Sequence, residues 1–339
     1  MQQYLPSLGH CLQWTAQMGG FLFIRMPAAP QHEPPTTYQQ QIALLRDRGL
    51  TVSDEELATH CLAHHNYFRL IRYRRPFLGA DDKFREGAKF EDLWALYRFD
   101  VLLRHLLLEA LKRVELSVRA RWSYVLSHSK GPMAYEDPTI HSVAYHDEHL
   151  ASLDEELKRS EDLGKWKHGP GRPPIWIACE SMSFGLLSRF YSCIFPFKLK
   201  KEIAAPFSLF PDTLKSLLEH SSYVRNLCAH HLVVWDRKLT VKLTIPIAQP
   251  ANSVPSFNKA TPDRVYNTIV LLGHMMDVIE PGNDWMQRVE SLVAAQPAWV
   301  SSDMGFHKDW QRYPVWALRH PKGSKAPFEE TKTPPAEGA

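Results

Sequence analysis

Residues 89–127, KFEDLWALYRFDVLLRHLLLEALKRVELSVRARWSYVLS, decide the fold class. Phe90, Leu93, Trp94, Tyr97, Val101, Leu108, Leu111, Val114, Val118, Trp122 and Val125 recur mostly at steps of three and four, and neither Gly nor Pro interrupts them. That spacing keeps apolar side chains on one face of a 3.6-residue helix, so the stretch predicts a single long helix from Lys89 to about Ser127. Asp100/Arg104, Glu109/Arg113 and Glu115/Arg119 stand four apart, and each such pair adds about 0.2–0.5 kcal/mol to a helix. Arg104 falls close to the apolar stripe, which places it with Asp100 as a buried pair serving structure.

On the N-terminal side, Tyr38–Arg48 reads as a helix stopped by Gly49. A second helix opens at Ser53 with Glu56 three positions on, the capping-box spacing, and continues through Leu57, Cys61 and Leu62 towards Tyr67. The strip Tyr67–Phe77 then interleaves Arg69, Arg72, Arg74 and Arg75 with aromatics. On the C-terminal side come a helix over about Asp147–Arg159 and a flexible basic loop, Gly164–Pro173. A helix opened by Pro174 runs to Pro196, and two more cover Lys198–Ala205 and Pro211–His230. Leu239, Val241, Leu243 and Ile245 alternate as in a short strand ended by Pro246. Helices over Pro262–Ile279 and Asp284–Ala295 complete an all-α reading. The expected organisation is a disordered or over-extended segment at 1–35, with Met26 as an alternative start, and a small helical module at 36–80. A bundle follows at 88–246, then a helical extension at 262–316 and a disordered tail at 320–339.

The balance of 40 Lys and Arg against 37 Asp and Glu does not by itself advertise a polyanion ligand, so any basic surface must be local. Five cysteines, at 11, 61, 179, 193 and 228, form no C-x-x-C pair and fit a reduced, cytoplasmic setting. No apolar run is long enough for an export signal or a membrane anchor. His60 and His64 share a helix face, but no third ligand has matching spacing, so neither a metal nor another cofactor is expected.

The helix from Pro211 ends in Tyr223-Val224-Arg225-Asn226-Leu227-Cys228-Ala229-His230-His231. At about 100° per residue, Asn226 and His230 lie one turn apart on one face, and Arg225 sits about 140° from His230, within reach of a long side chain. These three residue types suit RNA cleavage without a metal. An imidazole transfers protons near neutral pH. A guanidinium clamps a phosphoryl oxygen as charge builds on it, and an amide orients either partner.

Arg225, Asn226 and His230 carry a resemblance to the Abi-like, abortive-infection family of the HEPN superfamily, whose hallmark is an Arg followed four to six residues later by a His, with Asn after the Arg. The resemblance extends to Gln41-Ile42, Arg48-Gly49-Leu50, Asn66-Tyr67-Phe68-Arg69, Leu93-Trp94, Phe99-Asp100, Leu103-Arg104, Glu180-Ser181-Met182-Ser183-Phe184-Gly185, Met304-Gly305-Phe306 and Asp309-Trp310, roughly residues 36–316. It implies a HEPN-type helical bundle that forms a homodimer with its motif helices face to face. It further implies a toxin that cleaves RNA to a 2′,3′-cyclic phosphate in phage defence, restrained by a neutralising RNA or protein antitoxin. His231 is assigned a supporting role, and Glu180 is expected as a buried partner of Arg225. RNA contacts are expected from Arg72, Arg74 and Arg75, and from Trp166 and Lys167 of the basic loop. The alternative is a HEPN module that binds RNA or a partner without cutting. The HEPN half of a nucleotidyltransferase toxin pair would carry Tyr two residues after the motif His, and this chain has Leu232.

Overall fold

The computed structural model describes residues 34–317 apart from 162, 164, 165 and 167–170. The expectations for residues 1–33, for 320–339, for Lys167 and for most of the basic loop lie outside the described residues. Helix α1 (Tyr38–Asp47) opens on a capping box between Thr37 and Gln40. It is followed by Gly49 at φ +93°, where an added Cβ would stand 3.1 Å from the Phe84 carbonyl oxygen. Helix α2 (Glu55–His65) is capped by Asp54, one residue after the expected Ser53, with the carboxylate accepting the Leu57 amide at 2.8 Å. A carboxylate at this end also answers the positive pole of the helix. Asn66, at φ +59°, ends α2 and starts α3 (Tyr67–Leu70), from which two short 3-10 turns lead to Phe77.

Mutual hydrogen bonds at Thr51, from its amide to the Ala88 carbonyl (3.0 Å) and from the Phe90 amide to its own carbonyl (2.9 Å), tie this module to the start of α4. Helix α4 (Phe90–Lys130) has 41 residues, a length of about 60 Å. After α5 (Val143–Arg159) come α6 (Ile175–Ser181), α7 (Phe184–Cys193), α8 (Phe197–Ala204), α9 (Pro211–Ala229), α10 (Val265–Ile279), α11 (Trp285–Ala294), α12 (Ala298–Asp303) and α13 (Pro314–Ala317). The long helix is the axle: α6, α8, α9, α10 and α11 all pack on it, while α7 lies between α5 and α9. One continuous apolar core runs from Ile42 to Trp316.

Two expectations are corrected here. The single helix from Pro174 to Pro196 is broken at Met182-Ser183, because side chains from elsewhere satisfy the freed backbone groups. Arg119 donates to the Met182 carbonyl at 2.7 Å, and the Glu156 carboxylate accepts the Ser183 amide and hydroxyl at 2.7 Å each. The strand at 239–245 does not form, and among the described residues β-pairing is confined to three isolated bridges. A strand needs a neighbour to pair with. This segment instead bonds to helices and loops, its Leu239 amide to the Asp263 carbonyl and its Thr244 amide to the Ser216 hydroxyl, both at 2.8 Å. The alternation survives as burial, with Leu239 and Leu243 inward. His220 of α9 clasps the segment, its Nδ1 donating to the Val241 carbonyl at 2.7 Å. Burial pushes its pKa down to about 4, so the neutral Nε2 accepts from the Thr268 hydroxyl at 2.8 Å.

Candidate functional site

Helix α9 turns Leu214, Leu217, Leu218, Ser221, Val224 and Cys228 into the core and leaves Arg225, Asn226, Ala229 and His230 exposed. The three motif residues therefore share one exposed stripe, on which the Arg225 guanidinium donates to the Asn226 side-chain oxygen at 3.2 Å. His230 is the C-cap, directly after the last helical residue Ala229, its amide bonded to the Asn226 carbonyl at 3.0 Å. Cys228, in the same turn, is no nucleophile: burial, with the Asp100 carboxylate second, pushes its thiol up to about 12.

His231 follows at φ +56°, a left-handed conformation that glycine adopts freely and other residues rarely do. The pattern is a Schellman motif, with the Leu232 amide on the Leu227 carbonyl (2.9 Å) and the His231 amide on the Cys228 carbonyl (3.0 Å). The exposed carbonyl of His231 is held in turn by Arg69 of α3 at 2.9 Å. A non-glycine residue in this region costs about 1–2 kcal/mol. His231→Gly is accordingly expected to raise the melting temperature by about 2–4 °C. A fall would mean that the imidazole makes contacts worth more than the strain.

Directly beyond this turn, Asp100 of α4 holds the chain down. Fully buried, its Oδ1 accepts the amides of Val234 (3.2 Å) and Trp235 (2.9 Å), and its Oδ2 accepts the Tyr73 hydroxyl (2.7 Å) and Arg104 Nη1. The same Arg104 nitrogen reaches the Leu232 carbonyl at 3.3 Å. Burial pushes the Asp100 carboxyl up, and its donors pull the other way. Four donors facing two oxygens form the surroundings of an ionised carboxylate. Burial and then Asp100 hold the Tyr73 phenol well above its usual range, so it remains a donor. Asp100 and Arg104 are thus the buried structural pair the sequence indicated. Their grip on residues 232–235 was not visible there.

Glu180 is a correction. It was expected to be buried against Arg225, but its side chain is 63% exposed and stands 3.6 Å from Arg119. Helix α6 ends one residue later, and Glu180 lies on its outer side. The carboxylate whose pKa feels Arg225 is Glu115, which burial pushes up while Arg119 and then Arg225 pull it down. Nor do the strip arginines form one basic face. Arg72 is exposed, Arg74 is half-buried and bonded to the Ile71 carbonyl at 3.2 Å, and Arg75 pairs with Asp236 (3.0 Å) and Asp303 (3.2 Å). Trp166 is exposed on the part of the loop that is described. Among the described residues no group of three or more His, Cys, Asp or Glu could hold a metal ion, and no helix is long and apolar enough to cross a membrane.

An all-α protein built on one long helix, with its Arg-Asn-x-x-x-His motif at an exposed helix end, is the class that these features define. A family model described as Abi-like protein matches residues 60–236, just over half of the chain, and the chain belongs to that family. Membership points to the abortive-infection class of function. The matched stretch ends at Asp236, so it contains both Asp100 and the Val234 and Trp235 amides bound to it. Neither a curated protein nor a solved structure matches the chain.

Proposed function

We propose that this protein is a HEPN-type endoribonuclease that acts as an abortive-infection toxin in phage defence and cleaves RNA without a metal ion. The observation that carries this reading is the exposed stripe of α9, where a guanidinium, an amide and an imidazole stand together at the helix end. Two copies meet through this stripe, about a two-fold axis as in most dimers. His230 of one subunit takes the proton of the ribose 2′-hydroxyl, and O2′ attacks phosphorus. The bond from phosphorus to O5′ breaks, and His230 of the partner subunit protonates the leaving oxygen, giving a 2′,3′-cyclic phosphate and a 5′-hydroxyl. Arg225 clamps a non-bridging oxygen as its charge grows, and Asn226 orients that guanidinium through the hydrogen bond already present. A neutralising RNA or protein would restrain the toxin by covering the same stripe.

Purified protein given mixed RNA in EDTA is expected to release fragments ending in a cyclic phosphate, read by mass spectrometry, and to scatter light as a dimer. A fully active monomer, or cleavage only after a divalent metal is added, overturns the mechanism. Tight RNA binding with no cleavage gives the place to the non-catalytic RNA-binding or partner-binding module.

A further inference from the structure

Between the N-terminal module and the bundle lies a cleft of about 1430 Å³. Its floor is α4, from Tyr97 to Leu108, one wall is the Asn66–Arg69 turn, and the other is the end of α9 with His231. Among the described residues, three arginines and four histidines line it and no Asp or Glu does, in a chain whose charges otherwise nearly balance. Burial first, then His64, His60 and Arg69, hold the His65 pKa below the ordinary histidine range.

Backbone strain gathers at the same place. Among the described residues four non-glycine positions have positive φ, and two of them, Asn66 and His231, stand on the opposite walls of this cleft. Arg69 joins those walls through its bond to the His231 carbonyl. Such strain persists where the surrounding structure enforces it, and it clusters at binding and catalytic sites. Here the Asn66 turn, its side chain accepting the Phe68 amide at 2.9 Å, holds Phe68 out at 73% exposure, edge-on to Tyr67 at 5.4 Å. A ring left in water beside cations suits an unpaired base, which offers a flat face and carries a phosphate. A single small ligand fills a pocket of roughly 300–1,000 Å³, so this volume favours a length of strand over a mononucleotide.

We infer that this cleft is the subsite for single-stranded RNA adjoining the cleaved bond, with Phe68 stacking on a base and Arg48 and His64 meeting its phosphates. The inference rests on the ribonuclease reading only for which bond is cut; the binding stands apart from it.

Fluorescence anisotropy with a labelled 2′-O-methyl single strand, which lacks the attacking hydroxyl, measures binding without cleavage on the full chain. Phe68→Ala, at an exposed ring, is expected to weaken binding roughly 5- to 100-fold. Arg48→Gln with His64→Gln is expected to flatten the salt dependence by roughly 0.7 for each phosphate no longer neutralised. Lys259→Gln, which does not line the cleft, is expected to change neither. Unchanged affinity and salt slope in the cleft variants, or equal weakening in Lys259→Gln, overturns the inference. So does competition by uridine monophosphate as tight as the strand's own binding. A protein that binds the strand with these sensitivities but cuts no RNA keeps the cleft and ends the ribonuclease reading.

Discussion

His230→Ala is expected to lose RNA cleavage by roughly 10²–10⁴-fold, the range set by removing a general acid or base, while holding RNA within a few-fold of wild type. Both proton transfers fall to this imidazole in the proposed dimer, so one substitution removes base and acid together. Ground-state binding changes little because proton transfer is felt in the transition state and not in the bound ground state. Arg225→Lys is expected to fall by roughly 10²–10³-fold, since a lysine keeps the charge and loses the two-pronged geometry. The structure makes these variants clean tests. Arg225 and His230 are exposed, and the carboxylate first expected to bury Arg225 is held by Arg119 instead. Their melting temperatures are therefore expected to match wild type. Cleavage by folded His230→Ala at the wild-type rate would remove the proposed chemistry.

The long helix was legible because its signal is local: apolar spacing and the absence of Gly and Pro speak within one stretch of sequence. Where the outcome depends on a distant side chain, the local signal fails. Between Ile175 and Tyr191 the local mark of the break is Ser183, which caps α7 by accepting the Leu186 amide at 3.3 Å, and the rest of what stabilises it comes from Arg119 and Glu156. The alternation from Leu239 to Ile245 marked correctly which residues face inward, but pairing depends on a neighbouring strand, and the described residues supply none. Glu180 was misplaced for a related reason. Its helix is apolar as a whole, yet the last turn carries one residue outward.

The motif itself was fully visible as residues, and its setting was only half so. Asp100 and Arg104 declared themselves by their four-residue spacing and by Arg104 lying near an apolar stripe. The hydrogen bond of Arg69 to His231 joins positions 162 apart, which no pattern along one chain reveals. The cleft is the same case on a larger scale. The strip Tyr67–Phe77 looked uniformly basic, but folding places Arg75 between two carboxylates and turns Arg69 towards the motif turn.

Arg104→Met is expected to be the most destabilising of the substitutions considered, at roughly 3–5 kcal/mol, a fall in melting temperature on the order of 10 °C. The methionine fills much of the space but leaves Asp100, fully buried, with no cation. Taking one partner from a buried pair costs more than taking both, because the surviving charge has been stripped of water without compensation. Adding Asp100→Asn to Arg104→Met is therefore expected to recover part of the stability. An amide oxygen can still accept from Val234 and Trp235, and the uncompensated charge is gone. The recovered protein should nevertheless cleave RNA more slowly than wild type, since the guanidinium that held the Leu232 carbonyl in the motif turn is gone. Thermal melts and cleavage rates on the single and double variants separate the two roles. A double variant no more stable than Arg104→Met shows that the pair is not what holds this region. One as active as wild type shows that the Leu232 carbonyl needs no hold from Arg104.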